Sequence, residues 1–127
     1  MNLQLITAVA LGGALGSVAR YLTGIGAGKL FGSDFPWGTM IINILGSFLI
    51  GVLVELFALR WDLSQAARAF LTIGICGGFT TFSTFSLESY MLMNRGELLP
   101  AAAYIGVSVV ASIIALAAGL QLVRAVS

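Results

Sequence analysis

The chain alternates long apolar stretches with short polar segments. Four stretches have the length, about 20 largely apolar residues, that an α-helix needs to cross about 30 Å of hydrocarbon. They cover residues 3–22, 37–59, 66–93 and 98–123. Because the polar segments between them are short, the pattern predicts an all-α membrane protein, with one domain over residues 1–127 built from four transmembrane helices.

Composition agrees with this pattern and excludes several classes of function. Hydrophobic residues make up 59% of the chain and charged residues 9%, against about 25% charged residues in soluble domains. Histidine is absent, and no cluster of carboxylates replaces it, so the usual metal ligands and the commonest general base are missing. We therefore expect no enzyme, and a net charge of +1 gives no reason to expect nucleic acid as a partner.

The basic residues divide evenly between the two sides of the predicted membrane domain. One side holds three of them and the other side also three: Arg60, Arg68 and Arg124 against Arg20, Lys29 and Arg95. An excess of lysine and arginine normally fixes orientation, so this balance predicts insertion in both orientations. Two oppositely inserted copies form a self-complementary pair, which predicts an antiparallel homodimer.

The second and fourth spans carry polar side chains on single helical faces. Thr39 and Asn43 lie one turn apart, and the Asn43 amide must either bond a neighbouring helix or line a wet path. Tyr104, Ser108 and Ser112 follow one another at four-residue steps, which drift by about 40° each and place three hydroxyls near one face. Each serine can instead bond the carbonyl four residues back, so packing and a polar path both remain open.

The third span contains GGFTTFSTFS at residues 77–86, which predicts a break in the helix. Glycine lowers helix propensity, and threonine and serine side chains compete with the backbone hydrogen bonds. Carbonyls freed near residues 77–80 then need a hydrogen-bond partner or a cation. Phe82 and Phe85 lie three residues apart on one face; they either pack or turn their electropositive ring edges toward an anion.

Several charged residues lie near the ends of the predicted spans. Glu55, Arg68 and Glu88 can extend to the membrane interface while their stems remain in the apolar region. Arg20, at the end of the predicted first span, can do the same or can make a vestibule positive and concentrate anions there.

Four segments together resemble a known family, the small fluoride channels called Fluc or CrcB. They are GICGGFTTFSTFS at residues 74–86, NILGSFLIG at 43–51, WGT at 37–39 and GGALGSVAR at 12–20. The likeness extends over all four predicted spans. It implies a passive fluoride exporter of the bacterial cytoplasmic (inner) membrane that lowers cytoplasmic fluoride, built as a dual-topology antiparallel homodimer with two pathways.

The resemblance also implies roles for individual residues. Asn43, Ser108 and Ser112 would line the pathway as hydrogen-bond donors, with Thr39 and Tyr104 nearby, while Phe82 and Phe85 would present ring edges to the ion. Arg20 would lie near the aqueous entrance, as a vestibule residue. A structural Na+ at the dimer centre would be held by the backbone carbonyls of Gly77 and Thr80.

Two other classes of membrane protein fit four short spans. Proton-coupled exporters of the small multidrug-resistance type also have four helices and dual topology, but they depend on a carboxylate buried in the first span. Residues 3–22 contain none. The other class is a non-transporting subunit that only packs against membrane partners.

Overall fold

The computed structural model describes residues 2–127, and all regular elements in that range are helices. The first, second and last spans are α1 (Leu3–Phe31), α2 (Trp37–Leu59) and α6 (Leu98–Val126). The third consists of α3 (Gln65–Ala69), a π-helix (Phe70–Cys76), α4 (Gly77–Phe79) and α5 (Ser83–Asn94). Over the described residues, four helical spans are long and apolar enough to cross a membrane, which confirms the all-α membrane fold.

The first helix is longer than the sequence predicts. The prediction that it ends at residue 22 is wrong, because α1 continues to Phe31 and ends at Gly32, whose φ of 81° suits glycine. Glycines in its second half lower the intrinsic helix propensity. Ala27 is nevertheless buried, and α1 packs there against the start of α2, so tertiary packing outweighs propensity. Arg20 therefore lies inside α1 and not at its end.

Glycines allow α1 to pack backbone to backbone against the third span. A Cβ on Gly74 would lie 2.8 Å from the Cα of Gly12, and one on Gly78 would lie 2.6 Å from the carbonyl oxygen of Gly13. Gly16 similarly meets the backbone N of Phe79, at 2.8 Å from a Cβ placed on it. This part of the predicted close packing by small residues is present in the structure.

The second and last helices form the other close pair. Gly51 and Gly119 bring α2 and α6 together, and at one end Glu55 forms an ion pair with Arg124. Arg60 Nη2 also donates to the carbonyl of Val126, at 3.2 Å. The Glu55 side chain is buried and has its partner on α6, near the ends of both helices, so it is paired and not free.

The chain leaves the helical conformation between α4 and α5. α4 ends at Phe79, Thr80 has an extended backbone with φ −82° and ψ 158°, and α5 begins at Ser83. After this segment in the chain, Phe85 and Leu92 of α5 pack with Tyr104 of α6 in the buried core. The non-helical segment 80–82 lies against α2, where Thr81 bonds Asn43 and Thr80 packs beside Gly46.

Candidate functional site

A cavity of about 670 Å³ lies between α2, the third span and α6, and we call it the main cavity. It brings together residues that the sequence places far apart. The candidates on its wall are Asn43, Gly77, Thr80, Phe82, Phe85, Ser108 and Ser112, joined by Ser47, Thr72, Cys76, Thr81 and apolar side chains. Thr39, Tyr104 and Arg20 do not line this cavity.

Ser108 and Ser112 belong to the wall of the main cavity, and their hydroxyls lack hydrogen-bond partners in the part of the chain that the structure describes. Both Oγ atoms are buried, and within residues 2–127 neither has a hydrogen-bond partner. Thr72 and Ser89 behave differently, since their hydroxyls donate to the carbonyl four residues back, at 2.8 Å in each case. The back-bonding interpretation therefore does not describe Ser108 and Ser112, whose donors remain available.

Asn43 combines the two roles that the sequence leaves open. Its Nδ2 donates to the carbonyl of Thr81 at 2.9 Å, and its Oδ1 accepts from the Thr81 N–H at 2.8 Å. The side chain thus holds segment 80–82 against α2. Asn43 also belongs to the wall of the main cavity. A side-chain amide nitrogen carries two hydrogens, so one N–H of Asn43 remains for a ligand there.

Two phenylalanines form the aromatic part of the site. The ring centroids of Phe82 and Phe85 are 5.6 Å apart with planes tilted by 45°. Phe85 is buried, whereas the Phe82 side chain is 77% exposed on the open side of the main cavity. Phe82 therefore has most of its surface free for a contact outside this copy of the chain.

Tyr104 points away from the serines of its own helix. Two four-residue steps separate it from Ser112, and a drift of about 40° per step turns it by about 80°. Its ring packs on Phe85, with centroids 5.2 Å apart, and its hydroxyl donates to Glu88 Oε1 at 3.1 Å. Glu88 lies half-buried beside Tyr104, so its carboxylate has a protein partner in addition to the predicted reach toward the interface.

Glu88 is the site residue that the sequence reasoning missed. It lies three residues after Phe85, which makes the two side chains neighbours on the surface of α5. With Thr39 and Arg20 it lines a second cavity of about 490 Å³, bounded by α1, the first connection, the start of α2 and α5. Thr81 lines both cavities and lies where they approach each other.

Arg20 lies on the wall of this second cavity, and its Nε donates to the carbonyl of Gly78 at 3.1 Å. The structure thus places it beside the non-helical segment. The guanidinium is half-buried, and the helix continues past it on both sides, so the expectation that it extends outward from a helix end is wrong.

The predicted sodium ligands are compatible with the local chemistry. No group of three or more His, Cys, Asp or Glu side chains occurs among the described residues that could hold a metal ion. Backbone oxygens are the alternative, and Gly77 has lost its α-helical donor because the Thr81 N–H bonds Asn43 instead. Neutral carbonyl oxygens are ligands that alkali cations accept, so the Gly77 carbonyl is chemically suited to a cation.

Comparison with known proteins agrees with the motif resemblance. The family model described as CrcB-like protein, Camphor Resistance (CrcB), matches residues 7–120. The chain is 62% identical over 126 residues to a protein named fluoride-specific ion channel FluC from Nitrobacter winogradskyi. The aligned residues cover 99% of this chain and 100% of that relative. Proteins with the same name from Agrobacterium fabrum and Rhodospirillum centenum are 56% identical over 119 residues and 51% identical over 122 residues. These cover 94% and 96% of this chain and 95% and 97% of the relatives. The resemblance is confirmed, and the chain belongs to the CrcB family.

Proposed function

We propose that this integral membrane protein is a fluoride-selective channel of the bacterial inner membrane, which lets fluoride leave the cell passively and lowers cytoplasmic fluoride. The observation that carries the proposal is the pair of buried, unpartnered hydroxyls of Ser108 and Ser112 on the wall of the main cavity. Relatives that share half of their residues or more with this chain are named for the same activity. Passive conduction makes and breaks no covalent bond, so the proposal includes no enzymatic step.

Uncharged donors suit the permeation of a small, strongly hydrated anion. The ion must exchange its water for donors at short range, yet each site must be weak enough to release it. Hydroxyls and an amide N–H meet both conditions, since a neutral hydrogen bond is worth about 1 kcal/mol net and a charged one roughly twice that. Ser108, Ser112 and the remaining N–H of Asn43 form such a set.

Aromatic edges supply the preference for an anion over a cation. Hydroxyls accept as well as donate, so they do not choose the sign of the ion by themselves. A phenylalanine ring is electropositive at its edge, and Phe82 and Phe85 border the cavity beside the hydroxyls. The relatives' names point to fluoride as the anion.

A second copy in the opposite orientation would complete the pathway. The main cavity is open on one side, where the Phe82 ring stands 77% exposed, and the balanced basic residues favour insertion both ways. We propose an antiparallel homodimer with two pathways, each lined by both copies. A reporter at the carboxyl terminus should then give signal from both sides of the membrane; signal from one side alone would exclude dual topology.

The sodium ion belongs to the same proposal. Carbonyls of Gly77 and Thr80 from each copy would hold a structural Na+ at the dimer centre, beside the non-helical segment 80–82. The ion would neutralise oxygens that lack helical partners and is not transported. What supports it is the lost helical donor at Gly77 and the family resemblance.

A proton-coupled exporter of the small multidrug-resistance type is the alternative class. Such exporters use a carboxylate in the first helix, and α1 contains none along its whole length. Purified protein in liposomes should release fluoride without a proton gradient, at a rate that an imposed gradient leaves unchanged apart from its electrical effect. Release that requires the gradient would favour the exporter, and no release would favour a non-transporting subunit.

Replacing one serine should weaken permeation only modestly. Ser112→Ala removes one donor while Ser108 and Asn43 remain, so we expect fluoride efflux to fall about threefold to fivefold, the equivalent of one neutral hydrogen bond. Ser17→Ala, at an exposed serine of α1 outside both cavities, is the matched control and should conduct as the unaltered protein does. Equal efflux from both variants would remove Ser112 from the pathway.

A further inference from the structure

The backbone between α4 and α5 has lost two consecutive helical hydrogen bonds. In an uninterrupted helix, the Thr81 N–H would donate to the Gly77 carbonyl, and the Phe82 N–H would donate to the Gly78 carbonyl. The Thr81 N–H instead donates to Asn43. Within residues 2–127, no backbone bond from the Phe82 N–H to the Gly78 carbonyl is present either, so both carbonyls lack their helical donor. Within a membrane span, an unpaired carbonyl is costly.

Arg20 replaces the donor at one of these two carbonyls and not at the other. Its Nε bonds the carbonyl oxygen of Gly78 at 3.1 Å. The bond joins residues 58 positions apart and lies in a part-buried environment. The Gly77 carbonyl, one residue earlier, receives no donor from this side chain.

Close helix packing carries Arg20 to this position. Gly12, Gly16 and Arg20 follow one another at four-residue steps along α1, so they share a face. The two glycines contact the backbone of the third span so closely that an added Cβ would overlap it. The base of the arginine is therefore fixed relative to Gly78.

A cationic donor also suits the end of α4 electrostatically. The last carbonyls of a helix carry partial negative charge, and a guanidinium there is favourable. Charge alone does not require this geometry, because a cation anywhere on the wall of the second cavity would concentrate anions. The hydrogen bond, in contrast, requires a donor at the position of Nε.

We propose that Arg20 is a positioning residue: its Nε caps the Gly78 carbonyl, holds the third span interrupted and keeps the Gly77 carbonyl available for a cation. This inference rests on the proposed function and assigns Arg20 a task beyond attracting anions to the entrance. The residue acts through the backbone and does not touch the permeating ion.

Two substitutions separate hydrogen bonding from charge. In Arg20→Gln the side-chain nitrogen lies the same number of bonds from Cα as Nε in arginine, so a donor remains while the charge is lost. In Arg20→Lys the charge remains, but a methylene group occupies that position. If Arg20 acts by positioning, the Arg20→Gln variant should keep more fluoride efflux than Arg20→Lys. If it acts only through its charge, Arg20→Lys should keep more.

The experiment measures two quantities on each purified variant. The first is fluoride efflux from liposomes at low and high salt. The second is the rise in the thermal unfolding midpoint when sodium replaces N-methylglucamine. We expect Arg20→Lys to lower efflux about tenfold at both salt concentrations, the equivalent of one charge-assisted hydrogen bond, and to lose most of the sodium-dependent rise. Arg20→Gln should remain within about threefold of the unaltered protein and keep more of that rise.

Arg95→Gln is the matched control. It removes a positive charge from the same cavity wall at an exposed position, where the side chain bonds Glu97 and the Asp34 carbonyl. It should keep the full sodium-dependent rise. If folded yield falls in the Arg20 variants, the same ranking is expected in the folded fraction.

Efflux from Arg20→Lys that equals or exceeds that of Arg20→Gln would overturn the proposal. An equal loss of the sodium-dependent rise in both variants would also overturn it. A defect that disappears at high salt would assign Arg20 to electrostatics alone. Failure of the unaltered protein to conduct fluoride would refute the proposed function separately, because the sodium-dependent rise reports on Arg20 without any flux.

Discussion

Asn43→Asp is expected to reduce fluoride efflux from liposomes by about a hundredfold or more, since a carboxylate near the path opposes an anion by several kcal/mol at an effective dielectric constant of about 20. The aspartate oxygen that replaces Nδ2 would also face the Thr81 carbonyl, which now accepts a hydrogen bond at 2.9 Å. Two acceptors then oppose each other, and segment 80–82 keeps only one of its two hydrogen bonds to residue 43 of α2. Efflux is measured with a fluoride electrode on protein shown to be folded by size-exclusion chromatography.

Asn94→Asp supplies the control for this substitution. It makes the same chemical change at an exposed position at the end of α5, outside both cavities. We expect it to conduct like the unaltered protein. A folded Asn43→Asp variant with unchanged efflux would show that Asn43 neither lines the path nor controls the segment beside it.

Gly16→Ala is expected to cause the largest loss of stability. A Cβ at this position would lie 2.8 Å from the backbone N of Phe79 and would overlap the Ile75 carbonyl, and backbone atoms cannot move aside as a flexible side chain does. Separating α1 from the third span should cost about 1–3 kcal/mol or more, as overpacking of a close contact does. The thermal midpoint and the fraction of monodisperse protein in detergent both report this loss.

Gly24→Ala is the matched control on the same helix. A Cβ on Gly24 meets no atom within 4 Å, so this change should keep or raise stability through the better helix propensity of alanine, by about 1 kcal/mol. Equal stability of the two variants would contradict the close packing of α1 against the third span.

The sequence predicted the spans well where the apolar pattern has clear ends. The second span was predicted at residues 37–59, which are the bounds of α2, and the fourth differs from α6 only at its last turn. The predicted end of the first span was wrong because the glycine-rich second half of α1 has the composition of a connection. Burial of Ala27 against α2 is a long-range contact, which local propensity does not contain.

Part of the candidate site followed from spacing and part did not. Four-residue spacing placed Ser108 and Ser112 together correctly, and both line the main cavity. The same argument placed Tyr104 with them, but the accumulated rotation of the helix turns it toward Glu88. The sequence gives no sign of that partner, because a carboxylate near the end of a span is equally typical of an interface residue.

The hydrogen bonds around segment 80–82 lie beyond any local pattern. Arg20 and Asn43 come from α1 and α2, and each bonds a backbone group of the third span. Glycine, threonine and serine in residues 77–86 indicate that the helix is weak there, but they do not indicate which side chains supply the missing partners.

The measurement that tests the central claim most directly compares fluoride with chloride efflux through the purified, unaltered protein under the same membrane potential. If neutral donors and ring edges replace the water around a small anion, fluoride should pass at least about a hundredfold faster, a difference equivalent to about two hydrogen bonds. Equal efflux of the two halides, or none of fluoride, would contradict the account.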